Sequence, residues 1–115
     1  MSLKEKILIA DDSEMNQMLL EEILSDKYEY VMAKDGTEAV DILEKNDDID
    51  LVMLDINMPK MDGFGVLEIM NLRHWISEVP VIIISSESDV DFIRRGYDLG
   101  ASDYISRPFD LTVVR

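Results

Sequence analysis

An open α/β fold, a parallel sheet doubly wound with helices on both faces, is the class that the sequence predicts. Three observations predict it. Four short apolar runs, with a weaker fifth, recur along the 115 residues. They are continuous rather than alternating, as strands covered on both faces are. Between them lie stretches with apolar residues at helical spacing, so that the chain reads β-α-β-α-β-α-β-α-β.

Ile7–Ala10 (ILIA) is the first strand. The helix after it carries Met15, Met18, Leu19 and Ile23, with Leu20 and Leu24, on the inward stripe, and Glu14, Gln17, Glu21 and Glu22 outward. Tyr28–Ala33 is the second strand, and Gly36–Thr37 opens a helix that turns Ala39, Val40, Ile42 and Leu43 inward. The acidic run Asn46–Asp50 reads as a solvated loop before the third strand, Leu51–Leu54. A third helix follows on Phe64, Leu67 and Met70, with Val66 and Ile69. Val81–Ile84 is the fourth strand, Val90, Phe92, Ile93 and Tyr97 mark the fourth helix, and Asp103–Ser106 is the weaker fifth strand. After Pro108–Phe109, Asp110–Arg115 reads as the start of a fifth helix that is truncated. Residues 1–115 are thus expected to form a single domain taken from a longer protein, with Met1–Leu3 a cloning remnant. Most of the eight methionines fall at core or strand spacing, where packing explains them.

Composition narrows the function. With 25 acidic and 11 basic residues, the net charge is −14, which repels nucleic acid and anionic membranes and suits a cationic partner or a metal ion. No cysteine is present, which excludes disulfides, thiolate metal sites and thiol catalysis. The start, MSLKEK, is polar, and no apolar run approaches membrane-spanning length, so a cytoplasmic protein is expected. His74, the one histidine, stands beside Trp75 at the end of the third helix and reads as a surface residue.

Chemistry concentrates at strand ends. In LVMLDINMPKMDGFGVL an apolar strand delivers Asp55 and then breaks into a loop. Burying such a carboxylate is costly unless it meets a cation or does chemistry. Asp11 and Asp12 close the first strand. Ligands of open α/β sheets bind beyond the carboxyl ends of the strands, so the three acids converge if the first and third strands are neighbours. Two carboxylates about 4 Å apart repel by roughly 4 kcal/mol at an effective dielectric near 20. An all-oxygen cluster without His or Cys favours a hard divalent ion such as Mg²⁺. Taken alone, Asp11 and Asp12 are explained equally well as helix caps. Asp55 is not, because the next helix begins only beyond Asp62–Gly63.

ILIADDSE, LVMLDINMPKMDG, VPVIIISSES and GASDYISRPF, in this order and spacing, resemble the receiver domain of two-component response regulators, of the chemotaxis-regulator type. The resemblance spans nearly the whole chain. It implies the flavodoxin-like strand order 2-1-3-4-5. It also implies that Asp55 accepts a phosphoryl group from a histidine kinase or phosphotransfer protein. Asp12, Asp55 and the backbone carbonyl of Asn57 match the family's Mg²⁺ ligands, with Asp11 acting mainly through water. Ser85 matches the hydroxyl that bonds the phosphoryl group, Ser86 a small residue that leaves room for the donor, and Tyr104 the aromatic that moves inward with Ser85. Taken alone, Ser85 is a polar strand end and Tyr104 a half-buried strand residue.

Arg107 departs from the pattern, standing before Pro108 where the family has Lys. Its charge suits phosphate, but its planar fork is bulkier and directional. Asn57 and Glu87 resemble the pair that sets dephosphorylation rate in the chemotaxis branch and imply a short-lived acyl phosphate. The implied output is a partner or attached module on the face from the fourth to the fifth helix, with homodimerisation on phosphorylation. One alternative is a degenerate receiver that docks proteins without phosphorylation, supported only by Arg107. Another is an aspartate-nucleophile phosphatase, but that class has its nucleophile after the first strand.

Overall fold

A computed structural model describes residues 5–24, 28–85 and 90–106. The elements follow the expected alternation: β1 (Glu5–Ala10), α1 (Glu14–Leu24), β2 (Tyr28–Ala33), α2 (Gly36–Lys45), β3 (Leu51–Asp55), α3 (Gly63–Leu72), β4 (Val81–Ser85), α4 (Val90–Asp98) and β5 (Asp103–Ser106). β1 starts two residues earlier than its apolar run, and β3 and β4 each continue one residue further, onto Asp55 and Ser85. The expected fifth helix and Met1–Leu3 lie outside the described residues.

Every strand pairing is parallel, and the order is β2-β1-β3-β4-β5, a flavodoxin-like sheet. Side chains alternate across it as the pleat requires. Leu8, Ala10, Val52, Leu54, Val81 and Ile83 lie in one core cluster with Ala39 and Leu43 of α2 and Phe64, Leu67 and Met70 of α3. Ile7, Ile9, Met53 and Ile84 lie in a second cluster with Leu20 of α1. Within the three central strands, Ile7–Ala10, Leu51–Leu54 and Val81–Ile84 are apolar without a break because both faces are covered there.

Asp35 and Asp62 start α2 and α3 by accepting hydrogen bonds from the backbone N–H groups of Glu38 and Gly65. Two glycines bring these helix starts close to the chain. A Cβ on Gly36 would sit 2.2 Å from the Met61 carbonyl oxygen, and one on Gly63 would sit 2.4 Å from that of Asp55. The Gly36 N–H donates to Met61 O at 3.1 Å, and the Gly63 N–H to Ile56 O at 2.8 Å. Both helix starts are thereby fastened to the segment that follows Asp55.

Two helix faces differ from expectation. Met15 and Met18 of α1 are 79% and 68% exposed, while Leu20 is buried. Gln17, half-buried, and Leu20 face the sheet instead, and the Gln17 side chain donates to backbone carbonyls at the sheet's carboxyl edge. Packing therefore does not explain these two methionines. On α4, Val90, Phe92 and Tyr97 are exposed, and the residue buried against the sheet is Gly96, whose missing Cβ leaves room for Ile83. Phe92 instead stacks on Phe64 of α3, ring centroids 5.8 Å apart. Ile49 is buried within the otherwise exposed Asp47–Asp50 stretch. A single 3₁₀ turn, Trp75–Ser77, not anticipated from the sequence, follows α3. His74 precedes it, exposed, with φ of 62°.

Candidate functional site

The carboxyl edge of the sheet gathers the residues that the sequence marks out. Ala10 pairs with Leu54, so Asp11 and Asp55 leave neighbouring strands at the same level. Asp12 follows, and carboxylate oxygens of Asp11, Asp12 and Asp55 all lie within 4.8 Å of one another. Asp11 and Asp55 are 2% and 3% exposed, whereas Asp12 is open to solvent. Two buried acids and a third at the mouth form a strongly negative recess. Such a donor set fits a hard divalent cation that keeps part of its water shell.

Local bonds set the directions of these side chains. The Asp11 N–H donates to Ala33 O at 3.0 Å, which extends the β1–β2 ladder past the strand end. Asp11 Oδ1 accepts from the Ser13 N–H at 2.9 Å. Asp55 Oδ1 accepts from the Asn57 N–H at 3.4 Å, and Asn57 itself is exposed. Met58 turns back into the core.

Ser85 is fully buried at the end of β4, one residue past the Asp55–Ile84 pair. Tyr104 pairs with Ile83 and is half-buried against the core that faces α2 and α3. Ser86, Glu87, Arg107 and Pro108 lie outside the described residues.

Asp35, buried at the end of β2, was not singled out from the sequence, although the spacing Asp35–Glu38 matches a capping box. Its Oδ1 accepts from Thr37 Oγ1 at 2.6 Å and from the Glu38 N–H at 2.8 Å, and Lys60 Nζ lies 3.7 Å from Oδ2. The Thr37 hydroxyl, then the Glu38 N–H, hold its carboxyl below the usual range against the opposing effect of burial. A lowered pKa adds stability that is present above the unfolded value, about 4, and is lost as pH falls through the folded value. Asp35→Asn keeps a capping oxygen but no charge. The urea midpoint of the wild type should exceed that of Asp35→Asn at pH 7, and the gap should close below about pH 4. A gap of equal size at pH 7 and pH 3 would exclude this origin.

The family model of the response regulator receiver domain matches residues 7–115. A probable transcriptional regulator, ycf27, of Porphyridium aerugineum is 43% identical over 107 residues, covering 92% of this chain and 43% of its own. Response regulator RR06 of Streptococcus pneumoniae is 39% identical over 111 residues, covering 94% and 48%. The chain thus spans less than half the length of these curated relatives. Among solved structures, chemotaxis protein CheY4 of Vibrio cholerae has a TM-score of 0.88 at 27% identity, covering 96% of this chain and 92% of its own. The CheX–CheY–BeF3–Mg²⁺ complex of Borrelia burgdorferi has a TM-score of 0.84 at 34% identity, covering 96% and 83%.

Proposed function

Because the chain belongs to the response regulator receiver domain family, we propose that it is a phosphorylation switch that accepts a phosphoryl group on Asp55 from a histidine kinase or phosphotransfer protein. The observation that carries this reading is the convergence of Asp11, Asp12 and Asp55 at the carboxyl edge. An Asp55 oxygen attacks phosphorus, the bond from phosphorus to the donor atom breaks with its electron pair staying on the donor, and an acyl phosphate forms. Mg²⁺, when bound, would supply positive charge that offsets the charge of the phosphoryl group. Asp11, Asp12, Asp55 and the Asn57 carbonyl are the residues that would hold it. The presence of Mg²⁺ with BeF3 in the Borrelia complex supports this assignment. Ser85 bonds the phosphoryl group and Tyr104 follows it inward, while Arg107 offers a cation to the same group.

The proposed output surface includes α4 and continues toward the expected fifth helix, which lies outside the described residues. Exposed Val90 and Tyr97 support this, as a place for a partner, an attached module or a second phosphorylated copy. Among the described residues no helix is long and apolar enough to cross a membrane, which suits a cytoplasmic switch.

The test is metal-dependent stability. Ligand bound only to the native state adds about 2.7 kcal/mol at a hundredfold excess over Kd. Mg²⁺ should raise the melting temperature of the wild type, and clearly less that of Asp12→Ala. Equal shifts in both would remove the acids from the site.

Asn57, with Glu87 outside the described residues, matches the pair that sets the dephosphorylation rate in the chemotaxis branch, and a short-lived acyl phosphate is part of the proposal. A small amide and an acid orient water without shielding phosphorus. Asn57→Arg should therefore lengthen the lifetime of the phosphorylated form, followed by loss of label after donor removal. An unchanged lifetime would show that this position does not gate water.

A further inference from the structure

We infer that Gln17 is a positioning residue for the acid cluster, its side-chain amide fixing the peptide that carries Asp12. This inference rests on the Mg²⁺ reading above. Gln17 lies on α1, half-buried, where a helix facing the sheet ordinarily presents an apolar side chain. Its Nε2 donates to the carbonyl oxygen of Asp11 and, at 3.4 Å, to that of Ala33. Both acceptors are backbone carbonyls, so only the NH₂ end of the amide can satisfy them.

The consequence for the cluster is geometric. The Asp11 carbonyl belongs to the Asp11–Asp12 peptide, which is planar, so holding its oxygen also sets the orientation of the Asp12 N–H and Cα. The residue is held on its other bonding groups as well: its N–H by Ala33 O and its Oδ1 by the Ser13 N–H. Gln17 thus closes a frame in which the end of β1, the end of β2 and the first turns of α1 are joined at one point. Asp12 is the exposed acid of the three, so the backbone has a large share in aiming its carboxylate. Loss of the amide leaves the turn free to rotate about this peptide and spreads the directions in which Asp12 points.

Partners that orient metal ligands typically contribute 10–100-fold in affinity. Because Gln17 acts through backbone, the lower end applies. In the 115-residue chain, Gln17→Met keeps length and bulk but no donor, and Gln17→Asn keeps the amide one methylene short of Asp11 O. Titration with Mg²⁺, followed by amide chemical shifts of the folded protein, should show Kd raised about tenfold in both. Phosphorylation of Asp55 by a small phosphodonor should need correspondingly more Mg²⁺ for half-maximal rate and recover at saturation. Leu43→Val provides the control for stability alone: it trims the core on α2, away from the cluster, and should leave Kd unchanged. Wild-type Kd in folded Gln17→Met or Gln17→Asn overturns the inference, as does an equal rise in Leu43→Val. A wild type that binds no Mg²⁺ overturns the proposed function with it, so the two failures are distinct.

Discussion

Asp55→Asn is expected to lose labelling altogether: incubated with a small phosphodonor and Mg²⁺, the wild type gains one base-labile phosphate and the variant none. The amide is nearly the same shape as the carboxylate but is a far weaker nucleophile toward phosphorus. The substitution also removes one of three converging charges. Each close pair repels by up to roughly 4 kcal/mol at 4 Å and an effective dielectric near 20. Without Mg²⁺ the variant should therefore melt no lower than the wild type, and its response to Mg²⁺ should be smaller. Loss of label in a folded, thermally robust variant separates a missing nucleophile from a collapsed fold. Labelling of Asp55→Asn equal to the wild type would remove Asp55 from the reaction.

Gly63→Ala should have a large effect for a conservative change away from the acids. The added methyl carbon would lie 2.4 Å from Asp55 O and 2.9 Å from Ile56 Cα. Both are backbone atoms at and just past the buried end of β3, so no side chain can rotate aside. Overpacking of this kind costs about 1–3 kcal/mol, and the rigidity of the neighbours puts Gly63 at the upper end. A fall in melting temperature on the order of 10 °C follows for a domain of this size. Strain relieved by moving α3 outward would also displace Asp55, so phosphorylation of the residual folded protein should slow. A shift below about 2 °C would mean that the loop yields easily. Phe64, next in the chain, is buried beneath Phe92 and the Arg95 guanidinium, which resists such a movement.

The sequence by itself determined the order of the elements, the parallel sheet and the acids at its edge. Continuous apolar runs are what strands covered on both faces require, and Ile7–Ala10, Leu51–Leu54 and Val81–Ile84 could be read directly for that reason. Asp55 was legible because an acid that ends such a run has few structural explanations. The strand order came from the resemblance, since local patterns carry no information about which strands are neighbours.

Tertiary structure decided which face each helix presents. The first helix has two overlapping stripes, one through Met15 and Met18 and one through Gln17 and Leu20, and apolar count favours the wrong one. The Asp11 carbonyl, which accepts from the Gln17 amide, favours the other, because a partly buried acceptor gains more from a donor than the fold loses by exposing a methionine. On α4 the contact is made by Gly96, whose role is to lack a side chain, and no hydrophobic pattern can announce that. The same holds at Gly36 and Gly63, where close approach of backbone to backbone fastens two helix starts to the segment after Asp55. Periodicity records what a side chain buries; it is silent on backbone carbonyls in need of a donor and on spaces that must stay empty, and these set the geometry around the three acids.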